Sequence, residues 1–141
     1  MLALLMAALN LVVISGLSGS GKSHALKAFE DAGYFCVDNL PPALLPTFVE
    51  LCHQQGGEIK NVALGIDIRE RVFFGDLAKV LGELKAQGHA LQLVFLEARE
   101  EVLVRRFSES RRPHPLLPHM PVVEGVRFER ERLSELRKHA D

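Results

Sequence analysis

The sequence predicts an α/β fold in which a parallel sheet is covered by helices on both faces. Three observations carry this. Short aliphatic runs alternate along the chain with longer segments of helical period. The runs are continuously apolar, as strands buried on both faces are. The first run leads directly into Gly16, Leu17, Ser18, Gly19, Ser20, Gly21, Lys22 and Ser23, a fit to G-x-x-x-x-G-K-[ST] between a strand and a helix. The class is therefore the P-loop NTPase fold.

The elements follow in order. Leu11, Val12, Val13 and Ile14 make the first strand, within residues 10–15. Residues 22–32 carry Ala25, Leu26, Ala28 and Phe29 at helical spacing and stop at Gly33, a glycine stop. Residues 34–37 form a second strand ending at Asp38 and Asn39. Pro41 and Pro42 start a helix that runs to about residue 55, before Gly56 and Gly57. Residues 61–67 are a third strand and 74–87 a helix stopped by Gly88. Residues 91–96 are a fourth strand and 100–110 an arginine-rich helix. Residues 111–121 hold four prolines and two histidines and read as a loop. Residues 122–140 read as one final charged helix.

The composition bounds the function. A chain of 141 residues is one ordinary domain. With 48% apolar and 25% charged residues it is neither disordered nor collagen-like. A net charge of −1 excludes a uniformly basic nucleic-acid binder. The charge is uneven, since residues 99–141 hold ten of the seventeen basic groups, nine of them Arg. Cys36 and Cys52 match no zinc pattern, which fits a reduced, cytoplasmic protein. Residues 1–9 form an apolar leader with no Lys or Arg before it. It is shorter than the roughly twenty residues a membrane span needs, and the nucleotide-binding domain is read as residues 10–141.

The glycine-rich segment has a chemical logic. Gly16, Gly19 and Gly21 permit positive φ, so that successive N–H groups converge on phosphate oxygens. The helix beginning near Lys22 adds its positive N-terminal dipole. Lys22 reaches the β- and γ-phosphates, and the Ser23 hydroxyl ligates Mg²⁺. A second Mg²⁺-side acid is expected at a strand end. Asp67 is preferred because an apolar strand runs into it, with Asp38 as the alternative. Arg105, Arg106, Arg111 and Arg112 precede the proline loop. Arg106 and Arg112 are read as lid residues that stabilise transition-state charge; a phosphate-backbone patch for RNA and a plain Glu-paired helix face are the other readings. His114 and His119 lack the Cys pair that would complete a zinc site. Cys36, inside an apolar strand, reads as a structural thiol.

Residues 12–48, VVISGLSGSGKSHALKAFEDAGYFCVDNLPPALLPTF, resemble the RapZ/YvcJ family of bacterial nucleotide-binding proteins, also called RNase adapter proteins. The G-I-D-I-R segment at 65–69 and R-R-P-H-P-L at 111–116 agree. The resemblance implies ATPase and GTPase activity with Mg²⁺ in the N-terminal domain of a longer protein. The family's second nucleotide segment falls on Asp67, Ile68, Arg69 and Glu70. Glu70 stands where the family commonly has Ser or Asn, which disfavours a direct hydrogen bond from that position to phosphate. The resemblance also implies a small regulatory RNA and an endoribonuclease as partners, mainly through a C-terminal domain. Homo-oligomers are expected through a sheet edge left uncovered, because the chain ends without the fifth strand the fold would add.

Two other functions fit the residues. The order of strand, loop, acidic strand ends and arginine-rich lid is also that of nucleoside monophosphate kinases. An RNA-binding adapter with a structural loop is the third reading, resting on the arginine cluster alone.

Overall fold

The structure, a computed structural model, describes residues 9–54, 58–66, 74–110 and 113–141. Four strands, β1 (Asn10–Gly16), β2 (Phe35–Leu40), β3 (Asn61–Ile66) and β4 (Ala90–Leu96), form one sheet in the order β2-β3-β1-β4. All three pairings are parallel. Leu11 sits opposite both Val62 and Leu91, so β1 is flanked on each side. That position explains why its residues from Leu11 to Gly16 are all buried.

Among the described residues, three helices connect the strands, α1 (Lys22–Asp31), α2 (Leu45–His53) and α3 (Phe74–Ala86), and three follow β4: α4 (Glu100–Ser110), α5 (Val122–Arg132) and α6 (Ser134–Lys138). Alternation along β1 divides the core. Val12, Ile14 and Ala63 meet Leu26 of α1 on one face. Leu11, Val13, Val62 and Leu64 meet Leu45, Leu77, Leu103 and Val126 on the other. Fully burying one such aliphatic side chain stabilises by about 1.5–3 kcal/mol. The fold is the expected α/β class with both faces covered.

Four boundaries differ from the sequence reading. The segment from Pro42 opens as a 3-10 turn, Pro42–Leu44, before α2. β2 continues through Asp38 and Asn39 to Leu40, with a register shift between Val37 and Leu40. Asn39 absorbs the irregularity at φ 55°, a conformation Asn tolerates better than most residues. The terminal helix is two helices, because the backbone bends at Leu133. Ser134 Oγ donates to Glu131 O at 2.8 Å, a local bond that competes with helix hydrogen bonding. Finally, the outer edge of β4 is partly covered. Asp141 N–H donates to Leu93 O at 2.9 Å, and Leu93 N–H donates to Asp141 Oδ2 at 2.8 Å.

Among the described residues, no helix is long and apolar enough to cross a membrane.

Candidate functional site

The glycine-rich loop joins the carboxyl end of β1 to α1, at the sheet edge where open α/β folds bind ligands. Gly16, Gly19 and Gly21 adopt φ of 146°, 82° and 100°. At Gly16 the need is also steric, since a Cβ there would lie 2.1 Å from Leu96 O. α1 begins at Lys22 with Gly21 left-handed and no side-chain cap. Its N-terminal dipole is thus directed at the loop.

The loop divides its labour. Leu17 is a core residue, 1% exposed, and its N–H donates to Leu96 O at 3.1 Å. Ser20 N–H donates to Leu17 O at 3.0 Å, closing a turn. Ser18 turns away to α5, where its N–H and Oγ each donate to the Glu129 carboxylate at 2.6 Å. These three amides serve the loop's own shape, which narrows the expectation that the whole segment from Gly16 to Ser23 faces ligand.

Gly19, Gly21, Lys22, Ser23, His24 and Arg106 line a cavity of about 450 Å³. Lys22 Nζ donates back to Gly16 O at 3.2 Å, spanning the loop. Arg106 reaches from α4 to donate to Gly19 O. The expected lid arginine is therefore at the loop in this structure. Arg106 also lines a second cavity of about 370 Å³, with Ser18, Gly19, Phe107, Ser110, Pro113 and Pro115. Arg105 is exposed on the same helix.

Asp67, Ile68, Arg69, Glu70, Arg111 and Arg112 lie outside the described residues. Asp38 does not. It leans on the end of β3, so that a Cβ on Gly65 would lie 2.5 Å from its Oδ1. The same oxygen accepts the Asn39 N–H at 2.8 Å. In the cavity, Ser23 carries a hydroxyl oxygen of the kind that hard cations take as a ligand. Among the described residues no group of three or more His, Cys, Asp and Glu side chains converges as a metal site.

The loop after α4 is anchored more firmly than its composition suggests. His114 is fully buried. Its ring lies 5.2 Å from that of Phe107 and packs on Gly125, where a Cβ would sit 2.4 Å from His114 Cγ. Leu116 N–H donates to Nδ1 at 3.1 Å, so Nδ1 is the accepting nitrogen of the ring. Nε2 is buried, makes no hydrogen bond among the described residues and lies 3.4 Å from Glu129 Oε1. Neither Glu129 nor His114 was singled out from sequence as a site residue. The available signal was spacing, since Glu129 falls on the α5 stripe with Val126 and Leu133.

The remaining candidates sort simply. Burial, together with the charge of Glu30, pushes the Cys36 thiol up, which suits a structural rather than a nucleophilic role. Arg127 pairs with Glu100 and Arg137 with Glu97, each at 2.9 Å on the surface.

A parallel sheet ordered β2-β3-β1-β4, with a glycine-rich loop between its central strand and the following helix, defines a P-loop α/β protein. The RapZ-like N-terminal domain family matches residues 9–141, and the chain belongs to that family. A Clostridium botulinum relative named as a nucleotide-binding protein is 50% identical over 133 residues, covering 94% of this chain and 45% of its own. A Clostridium kluyveri relative of the same name is 47% identical over the same shares. The chain thus spans under half the length of these relatives. The crystal structure of APE1195 aligns over 93% of this chain and 75% of its own, with 12% identity and a TM-score of 0.49.

Proposed function

We propose that this domain binds a nucleoside triphosphate, ATP or GTP, with Mg²⁺ and hydrolyses it slowly, as a regulatory module of a longer cytoplasmic protein. The observation that carries the reading is the cavity at the loop. Lys22, Ser23, the amino end of α1 and Arg106 converge there on one space. Such a set suits a polyphosphate, because amide donors, a helix dipole and two cations all favour negative charge. The names of the relatives support the same ligand class.

Ser23 and Asp67 are the residues proposed to hold Mg²⁺, which would supply neutralisation of the charge that develops in phosphoryl transfer. Lys22 would bind the β- and γ-phosphate oxygens, and Arg106 stands beside Gly19 to meet charge on the terminal phosphate. Arg112 is proposed as a second lid cation, and Arg69 as a contact to phosphate or base. Calorimetric titration with ATP and GTP, with and without Mg²⁺, tests the reading directly. Saturable binding strengthened by Mg²⁺ is expected, and no binding of either nucleotide would refute it.

The metal assignment has its own check. Asp67→Asn is expected to abolish the Mg²⁺-dependent gain in affinity and any hydrolysis. Asp38→Asn should do less, because its carboxylate already accepts the Asn39 N–H. A larger effect from Asp38→Asn would move the metal-side role to β2.

One observation favours kinase activity as a second reading. The cavity lined by Phe107, Ser110, Pro113 and Pro115 adjoins the loop and shares Arg106 with the phosphate cavity. It has room for a small acceptor. Phosphate transfer to an added nucleoside monophosphate that outpaces hydrolysis would favour the kinase, and hydrolysis alone would disfavour it. An RNA and an endoribonuclease remain proposed partners of the longer protein. RNA contact by this domain would rest on the cluster of Arg105, Arg106, Arg111 and Arg112, and is proposed to be weak and salt-sensitive.

A further inference from the structure

We infer that Glu129 is a positioning residue for the phosphate loop, which it holds in binding shape from behind by gripping Ser18. The inference rests on the nucleotide-binding reading above, and concerns a residue of α5 that lies outside the walls of both cavities beside the loop.

Glu129 is 4% exposed, on a helix that also buries Gly125 and Val126. Core packing alone favours an apolar side chain at such a place, because a buried carboxylate loses its hydration. Here the two carboxylate oxygens take the Ser18 N–H and the Ser18 hydroxyl, both at 2.6 Å. Both bonds end on a carboxylate, and hydrogen bonds to an ionised acceptor are stronger than neutral ones. Two directional bonds fix both the backbone and the side chain of one loop residue.

That residue is well chosen. The next one, Gly19, has positive φ, and its carbonyl accepts Arg106. On the other side, Leu17 is tied to Leu96. The Gly-rich segment, which left alone would sample many conformations, is thereby held in one before any ligand arrives. Preorganisation of this kind raises affinity by removing the ordering cost from the binding step.

His114 packs beside the carboxylate. Its Nε2, which makes no hydrogen bond among the described residues, lies 3.4 Å from Oε1, and the close approach of its ring to α5 is possible because residue 125 is glycine. Glu129 thus links α5 to the phosphate loop.

The test combines nucleotide affinity with amide hydrogen exchange in wild type, Glu129→Ala, Glu129→Gln and Ser18→Ala. With MgATP and MgGTP as probes, Glu129→Ala is expected to weaken binding about tenfold, as loss of charged hydrogen bonds does. Glu129→Gln should recover part of that loss, because its amide oxygen still accepts one Ser18 donor. Ser18→Ala, which leaves α5 intact, should weaken binding in the wild-type background and add nothing to Glu129→Ala. A merely structural role would lower the melting temperature without this non-additivity. Affinities within twofold of wild type, or additive effects, would overturn the inference. Exchange of the loop amides keeps the test independent of the nucleotide reading. Faster exchange at residues 17–20 in Glu129→Ala, with β1 and β3 still protected, is expected even if wild type binds neither nucleotide. Unchanged protection there would sink the inference on its own.

Discussion

Lys22→Ala is expected to weaken MgATP or MgGTP binding by roughly ten- to a hundredfold, the usual range for losing a charged hydrogen-bonding partner. Lys22 lines the phosphate cavity, and its ammonium spans the loop to Gly16 O at 3.2 Å. With a triphosphate bound, the same ammonium is placed to meet the β- and γ-oxygens. The ligand therefore loses a full charge pair when the side chain is cut back to a methyl. Stability should change much less. The bond to Gly16 O is partly solvated, and a hydrogen bond of that kind contributes about 1 kcal/mol. Parallel titration and thermal melting separate the two effects. Unchanged triphosphate affinity in a folded Lys22→Ala protein would refute the phosphate-loop reading.

The geometry around Lys22 was readable in the sequence because it depends on backbone chemistry. Gly16, Gly19 and Gly21 announce positive φ, and all three have it. The apolar run before them and the helical period after them place the loop at a strand end, as found. Boundaries of α4 were equally plain, since Glu100 and Glu101 open the helix and prolines soon follow Ser110. What the sequence concealed depends on tertiary contact. Glu129 stands among Glu124, Glu131, Arg127, Arg130 and Arg132, so by composition it belongs to a solvated face. It is nevertheless buried, and its carboxylate is bonded to Ser18, 111 residues away. His114 is similar. In a proline-rich loop it looks exposed, yet the missing side chain at Gly125 opens the space that buries it. The bend at Leu133 was hidden because no Gly or Pro marks it. Among the described residues, the Ser134 hydroxyl's bond to Glu131 O, together with the burial of Leu133 and Leu136, favours two short helices over one.

Gly16→Ala is expected to be the most destabilising single-methyl change in the loop. The new Cβ would lie 2.1 Å from Leu96 O and 2.8 Å from Leu96 N, both backbone atoms of the neighbouring strand. No rotamer change can relieve a contact with backbone, so β1 and β4 must part at their carboxyl ends. The φ of 146° adds strain for any L side chain. Backbone strain of about 1–3 kcal/mol and overpacking of about 1–3 kcal/mol together give a loss of roughly 2–6 kcal/mol. For a domain of this size that lowers the melting temperature by on the order of 10 °C. Gly82→Ala is the matched control. That glycine lies inside α3 and a Cβ there meets nothing within 4 Å, so the change should stabilise by up to about 1 kcal/mol. The Gly16 variant should also lose nucleotide affinity, because the pairing it breaks holds Leu17 N–H on Leu96 O and sets where the loop departs. Equal melting temperatures for the two variants would show that β1 and β4 do not approach each other at Gly16 as closely as described.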